Sequence, residues 1–262
     1  MARATPPDLT DASLALRPLA RAYPKGLAIE PHQHDWGQLL YASIGVMWVE
    51  TPEAALIVPP QRAVWLPPGV AHGIRVVSEL QMRNIYLRPA LAASLDEQVQ
   101  VVAVGSLLRE LILTLVEQGA QGEPDYYQAL TELTLLELRR APRAGWRVPL
   151  PRTQDRRLLN LCQAVMAAPS LGISFEQHAE QAGASVRTLS RLFQASLGMG
   201  FAQWRQQVQL AAAIAELEQG LAVSQVAINL GYSPASFSDM FRRALGVPPS
   251  QYAGRKPEVL DR

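Results

Sequence analysis

Absences narrow this sequence first. It has one cysteine, Cys162, in 262 residues, so it can form no internal disulfide and suits a reducing compartment. It has no low-complexity tract and no long run of like charge. Its most apolar long segment, residues 99–116, is interrupted by Arg109 and Glu110, which argues against a membrane span. Residues 1–26 contain no apolar run of the kind a secretory leader needs, so a cytoplasmic protein is expected. No phosphate-cradling glycine loop appears, and neither a Ser/His/Asp nor a Cys/His arrangement stands out. Charge is nearly balanced, with 24 Lys+Arg against 23 Asp+Glu.

What is present is enough for two cores: 48% of residues are hydrophobic. The charges are unevenly divided. Residues 1–145 carry 12 basic against 15 acidic residues, and residues 146–262 carry 12 against 8. The C-terminal half is the one suited to a polyanion.

That half contains a repeat. Residues 173–204 laid on 221–252, an ungapped offset of 48, match at nine of 32 positions, among them Ala179/Ala227, Gly183/Gly231, Ser185/Ser233, Phe193/Phe241 and Gly198/Gly246. Each copy reads as a short helix, a turn and a second helix. The alanine allows a close helix crossing, the glycine suits a left-handed helix end, and the serine caps the second helix. Leu189, Leu192 and Phe193, echoed by Phe237, Met240 and Phe241, form one apolar stripe. These are two helix-turn-helix units, whose second helices would enter the major groove. The first exposes Arg187, Thr188, Ser190, Arg191 and Gln194; the second exposes Ala235, Ser236, Ser238, Asp239 and Arg242. Arginine pairs bidentately with guanine, so the first unit is expected to dominate base readout. An alanine-rich helix ending at Gly220 should set the separation of the two heads.

From about Arg157 to Arg255 the chain resembles the DNA-binding domain of the AraC/XylS family of bacterial transcription regulators. The segment NLGYSPASFSDMFRRALGVPPSQY, Asn229 to Tyr252, carries the family's GY, S…F…F and G-x-x-P-x-x-Y pattern. The resemblance implies base-reading positions at Arg187, Ser190 and Arg191, then Pro234, Ala235, Ser238 and Asp239. Asp239 stands where relatives often carry a basic or amide residue. Promoter DNA is the implied partner, with RNA polymerase added if the protein activates, and a nucleoid-associated location is implied with them.

The N-terminal half is a run of short strand-like segments broken by TPE, PPQ and PPG, which points to an antiparallel sandwich or barrel. His32 and His34 are one residue apart on a strand, so both face one way. Residues 17–90 resemble the cupin fold, with Gly26, His32, His34, Gln38 and Gly45 on its first motif and Pro67, Gly69 and His72 on its second. Metal-binding cupins usually carry glutamate where Gln38 stands. The resemblance implies an effector pocket at His32, His34, Gln38 and His72, with Trp36 and Trp48 beside it. Three imidazoles and one amide oxygen could hold a divalent transition metal, but the neutral amide weakens such a site, so a metal-free pocket is the favoured expectation. His178 is expected to be a surface or packing residue.

Two helices come after the barrel. Leu107, Leu111, Leu115, and then Leu130, Leu133 and Leu136, recur at helical spacing. In similar regulators such helices pair two chains, which implies a homodimer. The expected organisation is therefore an α+β chain: a cupin-like β-barrel with helices at 1–141, a linker at 142–154, and an all-α domain at 155–262 with two helix-turn-helix units joined by a long helix. The functional expectation is a ligand-responsive, sequence-specific transcription regulator reading two adjacent major-groove segments. The alternative is a cupin-type metal-dependent enzyme with an accessory helical domain. A third reading is a DNA-binding protein whose barrel only dimerises.

Overall fold

The computed structural model describes residues 15–118, 123–143 and 145–251. They divide into two units, one within 15–51 and 56–145, the other within 52–55 and 146–251.

The first unit is built from β1 (Leu16–Tyr23), β2 (Ala28–His32), β3 (Gly37–Ile44), β4 (Met47–Glu50) and β5 (Ala54–Val58). After these come β6 (Arg62–Leu66), β7 (His72–Val76), β8 (Leu80–Leu87), α1 (Pro89–Ala92) and β9 (Gln100–Ala103). Two long helices complete it, α2 (Ser106–Gln118) and α3 (Pro124–Arg140). One sheet runs β1-β8-β3-β6-β9 and the other β5-β4-β7-β2. The pairs β1–β8, β3–β8, β3–β6 and β2–β7 are antiparallel.

Strand alternation sorts the apolar residues onto two faces. Leu40, Ala42, Met47, Val49, Val64, Leu66 and Met82 fill the space between the sheets. Their neighbours Leu39, Tyr41, Ala63, Trp65, Ile85 and Leu87 form a second core with Leu108, Ile112 and Leu115 of α2 and Leu135 and Leu138 of α3. The central strands β3 and β6 are thus buried on both faces, which is why LLYA and AVWL read as unbroken apolar runs, whereas β1 buries only Leu16. Not all the helical leucines join this core. Leu111 and Leu115 are buried, whereas Leu107, Leu133 and Leu136 are exposed at 50%, 39% and 50%.

The second unit holds β10 (Arg147–Pro149), α4 (Arg156–Ala167), α5 (Phe175–Gln181), α6 (Val186–Leu197), α7 (Phe201–Glu218), α8 (Val223–Asn229) and α9 (Pro234–Leu245). A 3-10 turn, Pro249–Gln251, ends the described residues, so Tyr252 of the GY…Y pattern lies outside them. Residues 147–149, within the expected linker, form a strand rather than free chain. Leu150 N–H donates to Glu53 O, and Trp204 Nε1 donates to Pro149 O at 2.8 Å. Among the described residues no helix is long and apolar enough to cross a membrane.

The repeat is visible bond for bond. After α5, Gly183 N–H donates to Glu180 O and Ala184 N–H to Ala179 O; after α8, Gly231 N–H donates to Ile228 O and Tyr232 N–H to Ala227 O. Both glycines have positive φ, +66° and +80°. This is the paired closure that needs a left-handed residue past the helix end. Ser185 and Ser233 then cap α6 and α9, accepting from the N–H groups of Thr188 and Ser236. Leu189, Phe193, Phe237 and Phe241 are fully buried. His178, also buried, sets its ring edge-on to Phe201 at 5.9 Å.

Candidate functional site

Three of the four histidines meet. β2 ends at His32, which pairs across to His72 at the start of β7, and His34 comes next in the turn before β3. The ring centroids are 4.5 Å apart for His32 and His72, 5.3 Å for His34 and His72, and 6.1 Å for His32 and His34. One ring nitrogen of each lies within 4.8 Å of the others.

Backbone contacts set the tautomers. Nδ1 of His32 faces Glu30 O at 3.0 Å, Nδ1 of His34 faces Trp36 O at 2.7 Å, and Nδ1 of His72 faces Val70 O at 2.9 Å. A carbonyl only accepts, so each Nδ1 carries the proton and each neutral ring is left with a lone pair on Nε2. This is how outer contacts orient metal-binding imidazoles. His72 is 1% exposed, and its Nε2 is buried with no hydrogen-bond partner. Burial foremost, with the neighbouring His32 and His34 adding to it, lowers its pKa to about 4.

Gln38 is buried on the inner face of β3. Its Oε1 lies 2.9 Å from His34 Nε2, and its Nε2 donates to the Tyr86 hydroxyl at 3.0 Å. With His34 neutral, the first contact sets two acceptors against each other. Turning the amide over relieves it, and so does a cation in front of both atoms. The donor set, three imidazole nitrogens and an amide oxygen, suits zinc or another borderline divalent transition metal.

Two residues that motif spacing does not single out belong here. Tyr86 packs edge-on against His34 at 5.3 Å, and burial raises its phenol to about 12, keeping it protonated. Asn84 is buried one step along the same face of β8, its Oδ1 without a partner. Alternation in MRNIYL is the one signal for them in the sequence. Trp36 contributes its carbonyl, while its ring lies 6.0 Å from the Arg17 guanidinium. Trp48 is a correction. It stands between Met47 and Val49, which both point between the sheets, so the pleat turns Trp48 to the opposite face, away from the histidines. The unit also has a cavity of about 290 Å³, lined by Trp65, Leu95, Asp96, Val102, Leu138 and Arg139 among others. No histidine of the cluster borders it.

The two second helices differ in what they offer. On α6, Arg187, Ser190, Arg191 and Gln194 are exposed, and their side chains make no hydrogen bond or ion pair within the described chain. Thr188 is half-buried and shares its hydroxyl with the cap, 3.0 Å from Ser185 Oγ. On α9, Pro234, Ala235 and Ser236 are exposed, but each polar group is engaged locally. Ser233 Oγ donates to Ser236 Oγ, Ser238 Oγ donates to Pro234 O, and Arg242 Nη2 donates to Asp239 Oδ1 at 2.9 Å.

Comparison with known proteins agrees with this division. Residues 19–138 match the AraC-like ligand binding domain and residues 178–255 a helix-turn-helix domain. The HTH-type transcriptional regulator NimR of Escherichia coli is 33% identical over 231 residues, 87% of this chain and 83% of its own. The HTH-type transcriptional regulator RipA of Corynebacterium glutamicum is 33% identical over 105 residues, 40% of this chain and 31% of its own. Among solved structures, ToxT of Vibrio cholerae is similar at 9% identity, covering 92% of this chain and 98% of that one, with a TM-score of 0.38. The ligand-binding domain and the helix-turn-helix repeat leave no support for the enzyme alternative, and the chain belongs to the AraC family of helix-turn-helix transcriptional regulators.

Proposed function

We propose that this regulator receives its signal at the His32, His34, His72 and Gln38 cluster, and that the signal is a divalent transition metal. The observation that supports it is the set of three imidazoles, each held by a carbonyl on Nδ1, with one ring nitrogen of each within 4.8 Å of the others and the Nε2 of His72 buried without a partner. A metal bound there would be held by His32, His34 and His72, with the Gln38 amide oxygen as fourth ligand. Tyr86 would orient that amide. Gln38 in place of a carboxylate favours a second reading, in which a small molecule donates hydrogen bonds to the same nitrogens. Calorimetric titration of the full chain with zinc or cobalt(II) separates the two. The proposal expects one ion per chain, lost in His72→Ala; no binding by the wild type would leave the small-molecule reading.

DNA contact is proposed for α6 through Arg187, Ser190, Arg191 and Gln194, and for α9 through Pro234, Ala235, Ser236, Ser238, Asp239 and Arg242, with the Thr188 hydroxyl confined to the cap. On an operator selected from random duplexes, Arg187→Ala and Arg191→Ala should each cost about 1–3 kcal/mol and relax specificity at one base pair. Unchanged affinity in the double variant would remove the proposed reading head. The exposed leucines of α2 and α3 are proposed to pair two chains.

A further inference from the structure

Two reading heads on one chain must be held at one spacing to read one site, and the helix-turn-helix repeat by itself provides no contact between them. The structure does. The segment between α4 and α5, residues 168–174, runs against the turn of the second unit, where Leu171 N–H donates to Leu230 O at 3.0 Å. Gly231 sits so close to it that an added Cβ would lie 3.0 Å from Leu171 N and 3.1 Å from Ser170 Oγ. The matching Gly183 has nothing within 4 Å, so this approach is not a property of the repeat.

One buried side chain closes the joint. Gln209, midway along α7 and 1% exposed, donates from Nε2 to Pro169 O at 2.9 Å and accepts at Oε1 from the Tyr232 hydroxyl at 2.8 Å. Pro169 precedes the first unit, while Tyr232 lies in the turn of the second. A single amide therefore ties the connecting helix both to the segment that leads into the first head and to the turn of the second. The repeat has Ala184 where Tyr232 stands, so the hydroxyl is particular to the second copy. Arg205 adds a bond from α7 to Ile173 O, and Asn229 one from α8 to Glu216. An amide with both ends satisfied at fixed geometry resists rotation of one head against the other in a way apolar contact alone does not.

We propose that Gln209, with Tyr232 and Gly231, is a positioning residue that holds the second reading head at one separation and one rotation from the first, and so makes the operator intolerant of altered half-site spacing. The proposal rests on the reading of α6 and α9 as DNA-contacting helices. One added base pair moves the second half-site by about 3.4 Å and turns it by about 34°.

Two measurements on the full chain test it. On the selected operator, a one-base-pair insertion or deletion between half-sites should weaken wild-type binding by about tenfold or more, because one head must let go. Gln209→Leu should shrink that penalty to about threefold or less, with Tyr232→Phe in between and affinity for an isolated half-site unchanged. Independently of DNA, spin labels at Ala195→Cys and Arg243→Cys, both exposed and equivalent in the repeat, should give a narrow distance distribution in the wild type. Gln209→Leu or Tyr232→Phe should broaden it. The buried Cys162 leaves the labelling selective. If both variants keep the wild-type spacing penalty and a narrow distribution, the proposal is wrong. Should Gln209→Leu fail to fold, Tyr232→Phe decides alone. Failure to select any operator contradicts the DNA-contact reading, while the label distances still judge the joint.

Discussion

At the residue scale, His72 joins the proposed sensor site to stability. Its pKa is lowered in the folded metal-free chain, so the unfolded chain binds the proton first as pH falls. Stability should hold above about pH 6.5 and decline as pH drops from there toward 4, by about 3 kcal/mol in all. Denaturant unfolding of metal-free protein at several pH values measures this, and His72→Phe should flatten the curve in that window. Asp239 makes a second residue-scale case. Its carboxylate engages Arg242, the nearest cation on α9. Asp239→Asn should free that guanidinium and strengthen non-specific DNA binding, with a salt slope steeper by about one. An unaltered slope would mean that Arg242 already meets phosphate in the wild type. Pairing His32 and His34 with His72 was readable from the motifs because ligand positions recur at set spacing. Tyr86 and Asn84 were not. They reach the site only through the antiparallel register of β8 on β3, a contact separated by 48 residues.

At the element scale, the helix-turn-helix units were the most legible part of the chain. Caps, turn glycines and apolar stripe are local features, and they fall twice at the same offset. What local pattern could not show is that the copies sit in different surroundings. Gly183→Ala should cost about 1–2 kcal/mol, the strain of a left-handed alanine. Gly231→Ala should cost more, since its Cβ also meets the Leu171 backbone. Thermal unfolding of the two variants compares them directly, and equal losses would mean that the loop yields. The helical leucines teach a similar lesson. Spacing identified α2 and α3, but i, i+3 and i+4 periodicity does not say which side meets its own barrel. The structure assigns Leu111 and Leu115 to the core and leaves Leu107, Leu133 and Leu136 outside. Trp48 was misplaced for a related reason: without the register, an aromatic residue in a strand can lie on either face.

At the scale of the whole molecule, the proposed function requires a signal to pass from the histidine cluster in one unit to the two proposed reading heads in the other. A ligand can do so only by binding two states of the chain unequally. The proposed pairing of chains would add a further link. Leu133→Arg with Leu136→Arg should convert a dimer to a monomer in sedimentation, with little loss of thermal stability, because both side chains are already exposed. A wild-type chain that sediments as a monomer would remove α2 and α3 as the contact. The most direct test of metal sensing is operator affinity of the full-length protein, read by fluorescence anisotropy with chelator and then with saturating cobalt(II), in the wild type and in His72→Ala. A metal-responsive regulator should show a change of about 5–150-fold in the wild type, the usual range of coupling between sites, and none in the variant. Identical wild-type curves with and without the metal would contradict it.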